Sequence, residues 1–196
     1  MRSSLQNQRP ARCKSMGCRI VTTRNTYEDS MRNRTSITAD LIKGAIAGAV
    51  ATLVLDQVTS FMYERESSRA RQAEDRARQG RTAYENAAEK IATMFGARID
   101  ARQRKRLGGI IHWALGISAG AGYAVYGRRV PGLRRFAGGG FGTTFWATVD
   151  EGLVSVLGLT PPPSEFPLQT HLRGLAGHLA FGIVTDRTLG VLDAVA

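Results

Sequence analysis

The sequence predicts an all-α fold, an integral membrane bundle of about four helices. Apolar residues are concentrated in four stretches and are not spread along the whole chain. Charged residues are collected in the first 40 residues and in 64–106. Three of the four apolar stretches also contain glycine pairs at G-x-x-x-G spacing, a pattern typical of membrane helices that pack closely.

The first 36 residues are rich in arginine and contain no acidic residue before Glu28. We interpret residues 1–36 as a disordered basic tail, because they hold few apolar residues that could form a core. A targeting segment is an alternative that fits the arginine and serine content, although the segment lacks a clear apolar face. Translation from Met31 instead of Met1 is a further alternative, since Met31 opens a short basic flank before the first apolar stretch.

The helical membrane domain is predicted to cover residues 37–196. A helix needs about 20 mainly apolar residues to cross the roughly 30 Å of hydrocarbon in a bilayer. The second stretch is the clearest, with His112 as its only residue that can carry a charge near neutral pH, and the last is the weakest, because Arg173 and Asp186 limit its apolar run. We predict spans at about residues 41–63, 107–127, 136–159 and 172–192.

Small residues should allow the helix backbones to approach closely. They would also allow a second copy to pack on the same faces as a homo-oligomer. The glycines that form these predicted packing positions are Gly44, Gly48, Gly116, Gly120, Gly138 and Gly142.

Residues 64–106 are predicted to be a charged helical loop that is divided near Gly80. Its second part carries a modest apolar stripe. Two placements remain open for this loop, because such a stripe fits either the bilayer surface or the outside of the bundle.

Ionisable side chains inside the predicted spans form the candidate functional site. A charge at the centre of a bilayer costs at least about 2.5 kcal/mol, so such residues usually have partners or a function. A carboxylate that faces a histidine on another helix can share a proton with it, and histidine changes its charge near neutral pH. We predict a kinked or broken helix at Asp150 and Glu151, and a proton-responsive polar cluster composed of Asp56, His112, Asp150, Glu151 and His178.

Two other interpretations of these groups remain open. The same side chains could serve only as hydrogen-bonding contacts between helices and as anchors at the membrane surface. Metal binding would draw on His171, His178 and Glu165 or Glu151, but their spacing matches no known metal motif, so we assign no metal site.

The remaining features exclude several classes of protein. No nucleophile, zinc-protease or cofactor motif is present, so we predict neither catalytic residues nor a cofactor, and no enzyme activity. The formal charge of +11 occurs without zinc-finger spacing or an RNA-binding motif. We therefore expect a lipid bilayer as the partner and no nucleic acid.

Four short motifs at fixed spacing resemble the YagU-like family of bacterial inner-membrane proteins of uncharacterised activity. They are His112, Gly122-Tyr123, the turn Gly158-Leu159-Thr160-Pro161-Pro162, and Gly177-His178. The resemblance covers about residues 109–189 and implies a multi-pass protein of the cytoplasmic membrane with a link to acid tolerance. The charged segment 64–106 has no counterpart in the family pattern, and the acidic pair at 150–151 departs from it.

Two functions follow as expectations. The first is a small structural or stress-response membrane protein that contains an intramembrane carboxylate and histidine cluster. The alternative is a subunit of a proton-coupled transporter or channel for a small solute.

Overall fold

The structure, a computed structural model, describes residues 17–127, 130, 133 and 135–195, and gives side chains from Ser36 onward. All regular elements in these residues are helices, so the all-α prediction is confirmed. The chain divides into two units after Thr38. The packing described below lies within the second unit.

The helices follow the apolar and charged stretches of the sequence. In chain order they are α1 (Gly17–Arg65), α2 (Ser68–Arg78), α3 (Ala83–Met94), α4 (Ala101–Gly122), α5 (Gly139–Phe145), α6 (Val154–Val156) and α7 (Leu168–Ala194). Two π-helical segments continue α4 and α5, at Tyr123–Gly127 and Trp146–Leu153, and a 3₁₀ turn at Pro163–Glu165 precedes α7.

Helix α1 begins earlier than the sequence predicted. The tail was expected to extend to residue 36, whereas the backbone is helical from Gly17. Residues 1–16 of the predicted tail lie outside the described residues. For the part of the tail from 17 to 36 the structure gives only a helical backbone, and the predicted disorder of this segment stays a prediction.

Glycines bring α1 and α4 into backbone contact. A β-carbon built on Gly44 would lie 2.6 Å from the carbonyl oxygen of Gly120, and one on Gly48 would lie 2.6 Å from that of Gly116. Neither position can hold a larger residue without moving a helix. The pairing of 44 with 120 and of 48 with 116 also shows that the two helices run antiparallel.

A second glycine crossing joins α5 to α7. A β-carbon on Gly138 would overlap the carbonyl oxygen of Gly182, and one on Gly142 would overlap that of His178. These two helices are therefore antiparallel as well. At both crossings the small-residue faces contact the chain's own helices.

The charged segment folds over the bundle. Helix α2 ends where Gln79 and Gly80 adopt left-handed backbone angles, which places the break where the sequence predicted it. The Asn86 side-chain amide donates a hydrogen bond to the Leu159 carbonyl, and the Lys90 ammonium donates one to the Leu157 carbonyl, each at 2.8 Å. The segment therefore contacts the bundle through these polar side chains, whereas Ile91, Met94 and Phe95 of its apolar stripe are exposed.

The helix does not break at Asp150 and Glu151, where the sequence predicted a kink or a break. The chain remains helical through these residues but widens into a π-helix, in which the Val154 amide donates to the Val149 carbonyl five residues earlier. A π-helical turn inserts one extra residue without ending the helix, and such turns often occur at functional sites. The acidic pair therefore projects from a continuous helical wall.

One helical segment among the described residues, Ser36–Arg65, is long and apolar enough to cross a membrane by length and composition. It matches the first predicted span. The other three predicted spans are helical, but they do not meet the same combined test of length and hydropathy, so four crossings are not established by this measure.

Candidate functional site

A cavity of about 710 Å³ lies at the end of the bundle away from the glycine crossings. Its walls come from the C-terminal half of α1, the charged helices α2 and α3, the start of α4, the π-helix after α5, and the start of α7. All three histidines of the chain line it. Each histidine faces a carboxylate from a different helix.

The first pair joins α4 to α1. His112 Nε2 donates a hydrogen bond to Asp56 Oδ1 at 2.9 Å. The ring of Tyr84, from α3, lies over the same histidine with 4.8 Å between the ring centroids. Burial raises the pKa of the Tyr84 hydroxyl, and the nearby negative charges of Asp150 and Asp56 raise it further. Tyr84 therefore remains a neutral phenol at this wall of the cavity.

The second pair joins α7 to the π-helix. His171 Nδ1 lies 2.8 Å from Glu151 Oε1, and its Nε2 lies 3.0 Å from the carbonyl oxygen of Pro163. A carbonyl oxygen can only accept a hydrogen bond, and an ionised carboxylate can also only accept one. A neutral imidazole has a single N–H group, so it cannot satisfy both contacts. The arrangement needs one additional proton, carried either by the imidazole or by Glu151.

The third pair lies deeper, on the turn of α7 that meets α5. His178 Nδ1 donates a hydrogen bond to the Gly174 carbonyl at 2.9 Å and lies 3.7 Å from Asp150 Oδ2. The His178 side chain is only 7% exposed. Since the Gly174 carbonyl fixes the proton on Nδ1, Asp150 faces a ring nitrogen that already carries hydrogen.

All five residues of the predicted polar cluster line this one cavity. The structure brings Asp56 to His112 and Asp150 towards His178, whereas Glu151 faces His171, a residue that the sequence suggested only as a metal donor. The seven-residue spacing of His171 and His178 on one helical face was the signal that could have included His171 in the cluster.

A buried ion network beside the cavity was not predicted. The Arg173 guanidinium donates to both carboxylate oxygens of Glu74 at 2.6 Å and to Glu66 Oε1 at 2.5 Å. The Glu74 side chain is 1% exposed, although it belongs to a segment that reads as a surface helix. Glu66 Oε2 is buried and has no hydrogen-bond partner among the described residues. This network links α2 to the start of α7.

The described residues contain no group of three or more histidine, cysteine, aspartate or glutamate side chains arranged to hold a metal ion. Glu165, one of the donors considered from the sequence, is not among the residues that line the cavity. The three histidines are instead distributed among three separate carboxylates.

Residues 88–187 match the model of a family described as a protein of unknown function, DUF1440. The match covers just over half of the 196-residue chain. The chain belongs to the DUF1440 family. The region of this DUF1440 protein that matches contains all three histidines, Asp150 and Glu151, whereas Asp56, Tyr84 and most of the charged segment precede it. No curated protein and no solved structure matches the chain significantly.

Proposed function

We propose that this chain is a multi-pass protein of the bacterial inner (cytoplasmic) membrane, related to the YagU-like proteins, whose polar cavity responds to acidification. Its role would be structural or in stress response, including acid tolerance. The contact that carries the proposal is His171, whose two ring nitrogens face two hydrogen-bond acceptors.

Exposed apolar residues support insertion into a membrane. Ile42, Ile46, Val50 and Leu53 follow one face of α1 and are between 39% and 58% exposed. Only 28% of the most apolar part of this helix is buried inside the structure. A soluble monomer rarely exposes a continuous apolar face, whereas lipid would cover this face without cost. Exposed large apolar residues also lie along α7, at Leu168, Leu172, Ile183 and Val191.

Acidification would act on the cavity through hydrogen-bond geometry. When Glu151 is ionised and His171 is neutral, one of the two contacts of the imidazole lacks a hydrogen atom, and a nitrogen lone pair faces the carboxylate in one tautomer or the Pro163 carbonyl oxygen in the other. One proton satisfies both contacts. Histidine side chains titrate between pH 5 and 8. A fall in pH through this range would therefore strengthen the link between α7 and the π-helix.

Trp146 provides a direct test, because its indole lines the same cavity. We suggest a Trp113→Phe variant in lipid nanodiscs, so that Trp146 is the only tryptophan. We expect its fluorescence to change between pH 5 and 8. In a Glu151→Gln variant the change should largely disappear, because an amide can donate a hydrogen bond to a neutral His171 and no proton is then required.

Glu89→Gln is the matched control, because Glu89 is a surface carboxylate on α3 that does not line the cavity. Its fluorescence should change with pH as in the parent protein. A flat response in the parent protein, or an unchanged response in the Glu151→Gln variant, would rule out the proposed response.

The second candidate is a subunit of a proton-coupled transporter or channel for a small solute, and the volume of the cavity favours it. A site that holds only shared protons needs no open space, whereas about 710 Å³ would accommodate a small solute. Proteoliposomes that contain the protein should then show proton or solute flux above that of empty vesicles. The absence of such flux would eliminate this candidate and leave the first one intact.

A further inference from the structure

The charge of the cavity is opposite to the charge of the chain. The chain carries a formal charge of +11, yet six carboxylates and only three lysines or arginines line the cavity. Two of these cations, Arg78 and Arg173, already form ion pairs with Glu74. The lining carboxylates that remain are Asp56, Glu64, Glu85, Asp150 and Glu151.

Three hydroxyl groups of the lining offer a ligand acceptors and no donor. Thr59 donates its hydrogen to the Leu55 carbonyl at 2.9 Å, Ser155 donates to the Pro161 carbonyl at 3.1 Å, and Thr170 donates to Glu74 at 3.0 Å. A hydroxyl has one hydrogen to donate and two lone pairs to accept with. These three oxygens can therefore only accept a hydrogen bond from a ligand, which favours a ligand with N–H groups or a positive charge.

Aromatic rings complete the walls at Tyr63, Tyr84, Trp146 and Phe166. The faces of aromatic rings attract cations, and aromatic rings combined with carboxylates are typical of sites for organic ammonium ions. One such contact already occurs within the protein, since the Arg173 guanidinium lies 5.0 Å from the centre of the Tyr63 ring. The volume of about 710 Å³ is also within the usual range of small-molecule sites, about 300–1,000 Å³.

We propose that the cavity binds a small organic cation, such as an amine or a quaternary ammonium compound, with its charged group between the carboxylates of α1 and of the π-helix. Asp56 and Asp150 are the principal residues, because they line the cavity from different helices and each lies beside a histidine, Asp56 beside His112 and Asp150 beside His178. Metal ions are less well suited, since the described residues provide no group of three suitable ligands. The inference uses the cavity of the proposed function but does not depend on its response to pH.

Benzyltrimethylammonium is a suitable probe, because its charge does not change with pH. Binding would be measured in nanodiscs at pH 8 by the fluorescence of Trp146 in the Trp113→Phe protein, with empty nanodiscs to correct for partition into lipid. We expect saturable binding of this cation and none of benzenesulfonate, an anion of similar size. Asp150→Asn and Asp56→Asn should each weaken binding by about tenfold, the lower end of the coupling between close charges.

Glu89→Gln, which changes a carboxylate outside the cavity, should leave binding unchanged. Two separate aspartate variants are used so that a failure of one to fold, detected by circular dichroism, leaves the other as a test. The inference would be overturned by the absence of saturable binding, by equal binding of benzenesulfonate, or by undiminished binding in a folded aspartate variant. The response to pH without the probe tests the proposed function separately, so the two can fail independently.

Discussion

The two ends of the helical bundle are built from opposite kinds of residue. At one end glycines allow backbones to touch, so that α1 meets α4 and α5 meets α7 with no side chains between them. At the other end the same helices carry carboxylates, histidines and aromatic rings around a cavity of about 710 Å³. Contact at the glycine end fixes the helix positions, and this holds the polar pairs of the cavity end 2.8–3.7 Å apart.

The largest effect should come from the buried ion network at the cavity end. Arg173→Met would leave Glu66 without its ion-pair partner and Glu74 with Arg78 alone, and Glu74 is 1% exposed. Removing one member of a buried ion pair typically costs about 3–5 kcal/mol of stability. We expect a large fall in the midpoint of thermal unfolding in detergent, measured by circular dichroism.

Arg81→Met is the control for this prediction, because Arg81 and Glu89 form an exposed pair that should contribute only about 0–1 kcal/mol. The combined replacement of Arg173 by Met and of Glu66 and Glu74 by Gln should recover much of the lost stability, since no buried carboxylate then lacks a partner and Arg78, which also pairs with Glu74, is 36% exposed to water. If Arg173→Met and Arg81→Met lower the midpoint of thermal unfolding equally, the buried network does not stabilise the protein.

At the glycine end, alanine substitutions at two nearby positions should change the stability of the protein in different ways. A β-carbon on Gly120 would lie 2.5 Å from the Gly44 carbonyl oxygen and from the Gly48 α-carbon, whereas one on Gly122 would meet nothing within 4 Å. Gly120→Ala should therefore lower stability by about 1–3 kcal/mol. Gly122→Ala should leave it unchanged or raise it by up to about 1 kcal/mol, because alanine favours helix. Equal unfolding midpoints would contradict the close crossing.

The smallest effect concerns the ionisation of Tyr84. Because its pKa is raised by burial and by the charges of Asp150 and Asp56, this tyrosine should remain protonated while exposed tyrosines ionise. In an alkaline titration of the folded protein, Tyr84→Phe should therefore remove little of the phenolate absorbance. If Tyr84→Phe instead removes the absorbance of one whole tyrosine, Tyr84 is exposed to water. Just above pH 10 the unfolded chain ionises this tyrosine, whereas the folded protein does not. A rise in pH through this range therefore lowers the free energy of unfolding.

The sequence predicted the parts of the bundle that depend on local spacing. Glycines four residues apart lie on one face of a helix, so Gly44 with Gly48 and Gly138 with Gly142 could be identified without knowing their partners. The partners could not be predicted, and Gly182 belonged to no predicted pair. In the same way Asp56 and His112 could be selected as polar residues within apolar stretches.

Long-range contacts and helix distortions account for what the sequence did not show. Glu74 looks like an exposed residue in a charged segment, and only its contact with Arg173, 99 positions later, explains its burial. His171 lies beside the proline turn, at the edge of the last predicted span, and only its seven-residue spacing from His178 linked it to the cluster. The π-helix at Trp146–Leu153 depends on backbone hydrogen bonds that residue types do not specify.

The most direct test of the account is the protonation of His171, followed by nuclear magnetic resonance of ¹⁵N-labelled histidine in nanodiscs between pH 5 and 8. The three histidines can be assigned by replacing each in turn with glutamine. We predict that the ring nitrogen signals of His171 change across this range and that Glu151→Gln removes or displaces the change. Signals of His171 that stay constant from pH 5 to 8, or that titrate identically in the Glu151→Gln variant, would contradict a proton-responsive cavity.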